Sequence, residues 1–372
     1  MKKSSTARLI VAGEGDADLR YAGRFQPVDP VVYLDHPRGA HLVVPMLEVG
    51  RAKQEAKHAR VWTPGDLDLP PMDRRSIAAW TVALARRTRT RAVQVTGAFP
   101  VEVARALERA RVRVDIAQGP LYPERIKKTS KEIALIRIAQ EAAVAAVRAA
   151  VRDIRGAHIN RAGELIAGRK VLTSERVKHT INRVLLEREC QAEQTIVACG
   201  RHAADPHHRG EGPLGAGQTI VLDIFPRHLP GGYWGDITRT VVKGPASPEL
   251  KRMYLAVLRT QAWARAQIRP GIRADLLHQQ VQQRLAAAGY ATETRDGIPV
   301  GFFHGTGHGV GLDIHEAPSI SLAAVRLQAG QVVTVEPGLY YPELGGIRVE
   351  DTVVVTPRGA EVLCPCPYYF EL

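Results

Sequence analysis

The 372-residue sequence predicts an α/β (α+β) protein built as two domains. Three observations carry this expectation. The chain is longer than a single hydrophobic core usually supports. Short β-rich stretches alternate with helix-like ones up to about residue 120. A Gly-Pro break at Gln118-Gly119-Pro120 then precedes a long, capped helical pattern. Apolar residues make up 45% of the chain, enough to fill two cores, and 24% are charged, which excludes wholesale disorder.

The first domain, 1–125, takes its strands from Leu9-Ile10-Val11-Ala12, Val31 to Leu34, His41 to Pro45, Ala92 to Val95 and Val112 to Val114. Its helices are read at Ser76 to Arg87 and Val101 to Ala110, and its turns carry Asp29-Pro30, Pro37-Arg38-Gly39, Pro64-Gly65 and Pro70-Pro71. It shows no catalytic constellation. The second domain, 126–372, opens with Thr129-Ser130-Lys131-Glu132, a capping box in which hydroxyl and carboxylate satisfy opposite ends of the first turn. Ile133, Ile136, Ala139, Ala143, Val147 and Val151 then recur on one face, which predicts a helix of about 25 residues.

Further helices are expected at Glu175 to Arg188, Glu249 to Ile268 and Ala274 to Ala287. Five strands follow from Val, Ile and Thr enrichment: Thr195 to Ala198, Thr219 to Asp223, Asp236 to Val242, Val332 to Glu336 and Gly346 to Glu350. Four of these begin or end on an acid. No repeat and no low-complexity tract interrupts the pattern.

Composition narrows the function classes. The N-terminal stretch has two lysines but too short an apolar run for a secretory signal, and nothing approaches a membrane span, so a soluble cytoplasmic protein is expected. Cys190, Cys199, Cys364 and Cys366 form no regular framework, which suits a reducing compartment; Cys364-Pro365-Cys366 lacks the partner pair a zinc knuckle requires. The formal charge is +13, with 40 Arg and 11 Lys spread along the chain and no basic run interleaved with aromatics. The surplus reads as a solvated basic surface, and neither nucleic acid nor membrane is expected as a partner.

The chemistry is concentrated in the second domain. Asp223 ends an apolar run and Asp236 opens another, thirteen residues on, so a hairpin would bring two carboxylates together where burial is costly without a cation. His304, His308 and His315 lie in a glycine-rich loop from His304 to Glu316 that lets a metal or substrate approach the backbone. Glu336 and Glu350 each follow an apolar β-rich stretch. Four carboxylates with one imidazole suit two hard or borderline divalent ions, Mn²⁺ first and Co²⁺, Zn²⁺ or Fe²⁺ after it. Carboxylates can bridge a pair about 3.5 Å apart.

These residues resemble a known set. Asp-Ile-Thr-Arg-Thr from Asp236, His-Gly-Thr-Gly-His-Gly-Val-Gly around His308, Glu-Pro-Gly at Glu336 and Arg-Val-Glu-Asp at Glu350, in that order, look like the "pita-bread" metallopeptidases of the creatinase/prolidase-like superfamily, peptidase family M24. The first domain resembles the creatinase-like α/β domain of the proline-directed branch, and the second the pita-bread catalytic domain. The resemblance implies that Asp223, Asp236, His308, Glu336 and Glu350 hold two divalent ions, with Asp236 and Glu350 bridging. It implies that His207, His304, His315 and Arg348 line the catalytic site, that Glu336 also moves a proton, and that a hydroxide shared by the metals attacks the scissile carbonyl. It further implies a peptide substrate with proline second and a homodimer in which the first domain of one subunit lies near the other's active site.

Two departures stand out: the aspartates are spaced more widely than is usual in the family, and position 202 is His where Asn is common. All five ligand types are retained, which argues against creatinase-like chemistry and against a binding protein on the same fold. Within the proline-directed branch the expectation is an Xaa-Pro aminopeptidase, with an Xaa-Pro dipeptidase (prolidase) as the alternative. A dipeptidase needs a cation for the substrate's carboxylate, and the sequence offers too many arginines to choose one.

Overall fold

Leu9 and Ile10 are adjacent, both buried, and point to opposite faces of one strand, which is how the sheet of the first unit comes to be covered on both sides. The computed structural model describes residues 6–372, and Lys2 and Lys3, part of the N-terminal stretch read above, lie outside them. Two units separate at Arg125: Met1–Arg125 and Ile126–Leu372.

The first unit runs β1 (Ala7–Ala12), β2 (Val31–His36), β3 (Gly39–Val43), α1 (Val49–Glu55), β4 (Ala59–Trp62), α2 (Ile77–Thr88), β5 (Ala92–Val95), α3 (Val101–Arg109) and β6 (Arg113–Ile116). Its sheet has the order β4-β3-β2-β1-β5-β6, antiparallel between β1, β2 and β3 and parallel elsewhere. One face packs Leu9, Val32, Val43 and Val93 against Leu84 of α2 and Leu107 of α3. The other packs Ile10, Val31, Tyr33 and Leu42 against Phe25 and Leu121. The short α1 and β4 are absent from the sequence reading: neither is long enough to show a period.

In the second unit the capping box forms as the residues require. The Glu132 amide donates to Thr129 Oγ1 at 3.3 Å and the Thr129 amide to Glu132 Oε2 at 2.7 Å, opening α4 (Ser130–Gly156), 27 residues long. A small ribbon of β7 (His158–Ile159), β8 (Leu165–Ala167) and β9 (Lys170–Val171) leads to α5 (Ser174–Leu186), β10 (Cys190–Gln191) and β11 (Ile196–Cys199). Then come β12 (Thr219–Ile224), β13 (Arg227–His228), β14 (Ile237–Val242), α6 (Pro248–Gln267) and α7 (Ala274–Ala287). The chain ends with β15 (Glu293–Arg295), β16 (Ile298–Val300), β17 (Gly307–Gly309), β18 (Glu316–Ile320), β19 (Val332–Val335), β20 (Gly338–Tyr341), β21 (Gly345–Arg348), β22 (Asp351–Thr356) and β23 (Gly359–Val362).

Two sheets matter for function: β11-β12-β14, and β18-β17-β19-β22-β23, with β20 and β21 a separate hairpin. Each sheet has its own helices. Val147, Val151 and Ile154 of α4 and Ile181 of α5 pack on Leu222 and Val241, whereas Val257 of α6 and Leu277 of α7 pack on Val333 and Val353. Burial on both faces explains why these strands read as continuous apolar runs.

Three details correct the sequence reading. His308 sits on the short strand β17, inside the segment read as a glycine-rich loop; glycines at both ends let that strand pass close to its neighbours, and a Cβ at Gly307 would stand 2.0 Å from the Thr334 carbonyl oxygen. The connection between the two aspartates is more than a turn, because β13 within it pairs with β10. Finally, β21 stops at Arg348, leaving Glu350 between two strands.

Candidate functional site

β12 and β14 run antiparallel with Asp223 opposite Thr238, so Asp236, just before β14, lies at the same end of the sheet as Asp223. Thr238 Oγ1 is 3.0 Å from Asp223 Oδ1 and 2.7 Å from Glu350 Oε2, and the Glu350 amide donates to the Thr238 carbonyl at 3.1 Å. One hydroxyl thereby orients two carboxylates. Asp236 is held from the other side by α4: Gln140 Nε2 donates to its carbonyl and its amide donates to Gln140 Oε1, both at 2.8 Å. This close contact needs a glycine beside it, since a Cβ at Gly235 would lie 2.6 Å from the Gln140 backbone nitrogen.

From the second sheet, β17 delivers His308 and the end of β19 delivers Glu336. His308 Nε2 is 3.2 Å from Glu336 Oε1 and 3.6 Å from Asp236 Oδ2. Its Nδ1 donates to the Gly309 carbonyl at 3.1 Å, which turns Nε2 toward the carboxylates as a metal-binding imidazole requires. Thr334 Oγ1 accepts from the His308 amide at 3.0 Å and donates to Glu336 Oε1 at 3.1 Å. Ligand-type atoms of Asp236, His308 and Glu350 all lie within 4.8 Å of one another.

The electrostatics call for a cation. Burial, then the charges of Glu350, Asp223 and Glu336, push the Asp236 carboxyl well above the usual range; burial, Glu336 and Asp223 do the same to Glu350. Burial alone would also raise Glu336, but its hydrogen bond and charge pairing with His308 bring it down to about 2. The same pairing overcomes burial at His308 and raises its pKa to about 9. Glu350 Oε1 is buried with no hydrogen-bond partner. A buried carboxylate with one oxygen lacking a donor, in a group that brings it within 4.8 Å of an imidazole nitrogen and a second carboxylate, fits a divalent cation of the hard or borderline type.

Arg348 is fully engaged. Its Nη2 donates to Asp223 Oδ2 at 2.6 Å, Nη1 to Tyr340 Oη at 2.9 Å and Nε to Thr238 Oγ1 at 3.2 Å. His304 Nδ1 donates to the Gly305 carbonyl, and its Nε2 is 2.9 Å from Tyr340 Oη; burial lowers its pKa to about 4. His315 meets His308 edge-on, with ring centroids 4.3 Å apart. His207 is exposed, and its amide donates to Asp205 Oδ1 at 3.0 Å. Every one of these sequence-derived residues lines a single cavity of about 1000 Å³, together with Phe225, Trp234 and Phe303. The unexpected His202 stacks on His208, centroids 4.0 Å apart, so the departure at position 202 is accommodated within its own loop.

Sequence reasoning passed over Gln140, Thr238 and Tyr340. Gln140 did leave a signal, being a polar residue on the apolar face of α4. It also left Arg239 without a role. That side chain is wholly buried, pairs with Asp351 at 2.8 Å, and donates to the carbonyls of Glu350, Cys366 and Pro367, tying the C-terminal segment to the strand ends that carry the carboxylates.

A fold of this kind, with acids from two sheets closing on one histidine, defines a class. The chain matches metallopeptidase family M24 over residues 134–357, more than half its length, and belongs to that family. Among relatives it is 36% identical over 241 residues to the Xaa-Pro dipeptidase of Pyrococcus furiosus, covering 64% of this chain and 63% of that protein. It is 38% identical over 174 residues to the uncharacterized peptidase YqhT of Bacillus subtilis, covering 46% of each. These matched segments therefore span between about half and under two thirds of the relatives' lengths. The structure is similar throughout to the prolidase from Pyrococcus horikoshii, with TM-score 0.81 and 26% identity over 98% of this chain and 94% of that one. It is also similar to dipeptidase PepE from Mycobacterium ulcerans, with TM-score 0.78 and 28% identity over 98% and 92%. The pita-bread architecture expected from the motifs is the one observed.

Proposed function

We propose that this chain is a dinuclear metal-dependent Xaa-Pro dipeptidase, with Asp223, Asp236, His308, Glu336 and Glu350 holding two divalent ions, Mn²⁺ first among them. The observation that carries the reading is the convergence on His308 of buried carboxylates, among them Glu350, one of whose oxygens has no hydrogen-bond partner. Five protein donors, four of them carboxylates, match an oxygen-preferring pair better than a thiolate-type zinc site. When bound, such a pair supplies Lewis acidity and a water acidic enough to deprotonate near neutral pH.

The chain's own groups account for the rest. Glu336 would accept a proton from the attacking water and return it to the leaving nitrogen, a step that matters because proline leaves as a secondary amine. His207 and His315, both on the cavity wall, can donate to the carbonyl oxygen as charge develops there. His304 and Arg348 hold Tyr340 and Asp223 in place and act as positioning residues. Phe225, Trp234 and Phe303 offer apolar surface for a pyrrolidine ring that an ordinary peptide-gripping site cannot use.

The sequence alone leaned toward the aminopeptidase form. The relatives named as Xaa-Pro dipeptidase and prolidase support the dipeptidase form instead. Assay of Mn²⁺-loaded protein on Ala-Pro and Ala-Pro-Ala tests the choice. Preferential cleavage of Ala-Pro is expected; preferential release of alanine from the tripeptide returns the reading to an aminopeptidase, and cleavage of neither contradicts both.

A further inference from the structure

We propose that Arg209 is the specificity residue that receives the α-carboxylate of a dipeptide substrate. This rests on the Xaa-Pro reading above and names the group that would make the cavity prefer dipeptides over longer peptides. Two guanidinium side chains line the cavity, Arg348 and Arg209. Arg348 is spent on Asp223, Thr238 and Tyr340. Arg209 is exposed, and among the described residues its guanidinium makes no ion pair or hydrogen bond.

Its backbone is nonetheless fixed. The Val197 amide donates to the Arg209 carbonyl at 3.0 Å, and Lys178 Nζ donates to the Gly210 carbonyl at 2.7 Å. Gly210 has φ +76°, and a Cβ there would stand 1.8 Å from the Val197 carbonyl oxygen, so only glycine lets the chain press this tightly onto β11. Ile196, next to Val197, lies opposite Asp223 in the sheet. Two strand spacings, about 10 Å, therefore separate the Arg209 backbone from that of Asp223. An extended arginine covers most of that distance. Arg209 and the five candidate ligands line one cavity, and in a dipeptide held there the carboxylate lies one residue beyond the scissile bond.

The imidazoles are weaker claimants. His304 uses both ring nitrogens, on Gly305 and Tyr340, and His315 is packed edge-on against His308. A guanidinium offers a planar, permanently charged, bidentate fit to a carboxylate that a neutral ring does not. A longer peptide places an amide where the dipeptide places its carboxylate, and gains nothing from Arg209.

The test compares Ala-Pro with Ala-Pro-NH₂, which differ only in that carboxylate, on wild-type protein and on Arg209→Ala, Arg209→Glu and Arg209→Lys. The expected result is a fall of about 10- to 100-fold in the kcat/KM ratio of Ala-Pro to Ala-Pro-NH₂ for Arg209→Ala, carried by KM. Arg209→Glu should lower the ratio further and Arg209→Lys restore part of it. Calorimetric binding of L-proline and L-prolinamide gives a readout independent of turnover, and Arg209→Ala should lose the preference for proline. An unchanged ratio or preference in the alanine and glutamate variants overturns the assignment. Failure of the wild-type protein to cleave either substrate overturns the Xaa-Pro reading itself, and the role of Arg209 with it.

Discussion

Thr238 shows how much one side chain can organise. Its hydroxyl lies between Asp223 and Glu350 and accepts from Arg348, so replacing it removes a hydrogen-bond partner from two carboxylates at once. Thr238→Val should fold and lose about 10- to 100-fold in Mn²⁺ affinity, the usual cost of removing a partner that orients a ligand, as measured by calorimetry. A second expectation concerns protons. Asp236, Glu350 and His308 all have raised pKa values, so near neutral pH the metal-free site holds protons that a cation must displace. Mn²⁺ binding should therefore release protons and tighten as pH rises from 6 toward about 9, where His308 deprotonates unaided. Calorimetry in two buffers of different ionisation enthalpy measures the release; binding that neither releases protons nor varies with pH would contradict the electrostatic account. Both effects escape a sequence reading, because Thr238 is merely one of many strand threonines until register sets it opposite Asp223.

At the scale of elements, what was legible divides by length and period. The capping box and the apolar stripe located α4, and the Val-rich runs located β12, β14 and β19, because local chemistry and tertiary burial agree there. The glycine-flanked strand β17 was not legible: its three residues have no period, and tertiary pairing with β18 and β19 alone makes it a strand. The role of α4 in the site was equally hidden, since Gln140 meets Asp236 across 96 residues of sequence. Gln140→Ala leaves the Asp236 amide without its buried partner, whereas the Asp236 carbonyl keeps the Thr352 hydroxyl at 2.7 Å, so the expected loss is about 1–3 kcal/mol for one unsatisfied group. Thermal unfolding should fall by several degrees, and the stabilisation given by Mn²⁺ should shrink with it. A variant that melts like wild type and binds Mn²⁺ normally would show that α4 does not position the ligand.

For the whole molecule, the five candidate ligands come from two sheets, each on its own pair of helices, so the site exists only when both halves of the second unit are folded. The sequence order of the motifs disclosed the family and marked out the five candidate ligands, because each motif is local. It could not disclose the cavity, its aromatic walls or the solitary Arg209, which depend on how segments 190–212 and 303–315 meet. No helix among the described residues is long and apolar enough to cross a membrane. The homodimer implied by the family resemblance is checked by light scattering at micromolar concentration, where twice the chain mass is expected and a monomer would count against it.

The most direct test of the central claim is metal titration of activity. Protein stripped with chelator should not cleave Ala-Pro, and activity followed as Mn²⁺ is added should return and level off at two ions per chain, with Asp236→Asn and Glu350→Gln recovering none. Undiminished turnover in the stripped protein, or no turnover with Mn²⁺, Co²⁺, Zn²⁺ or Fe²⁺, would contradict a two-metal peptidase built on these residues.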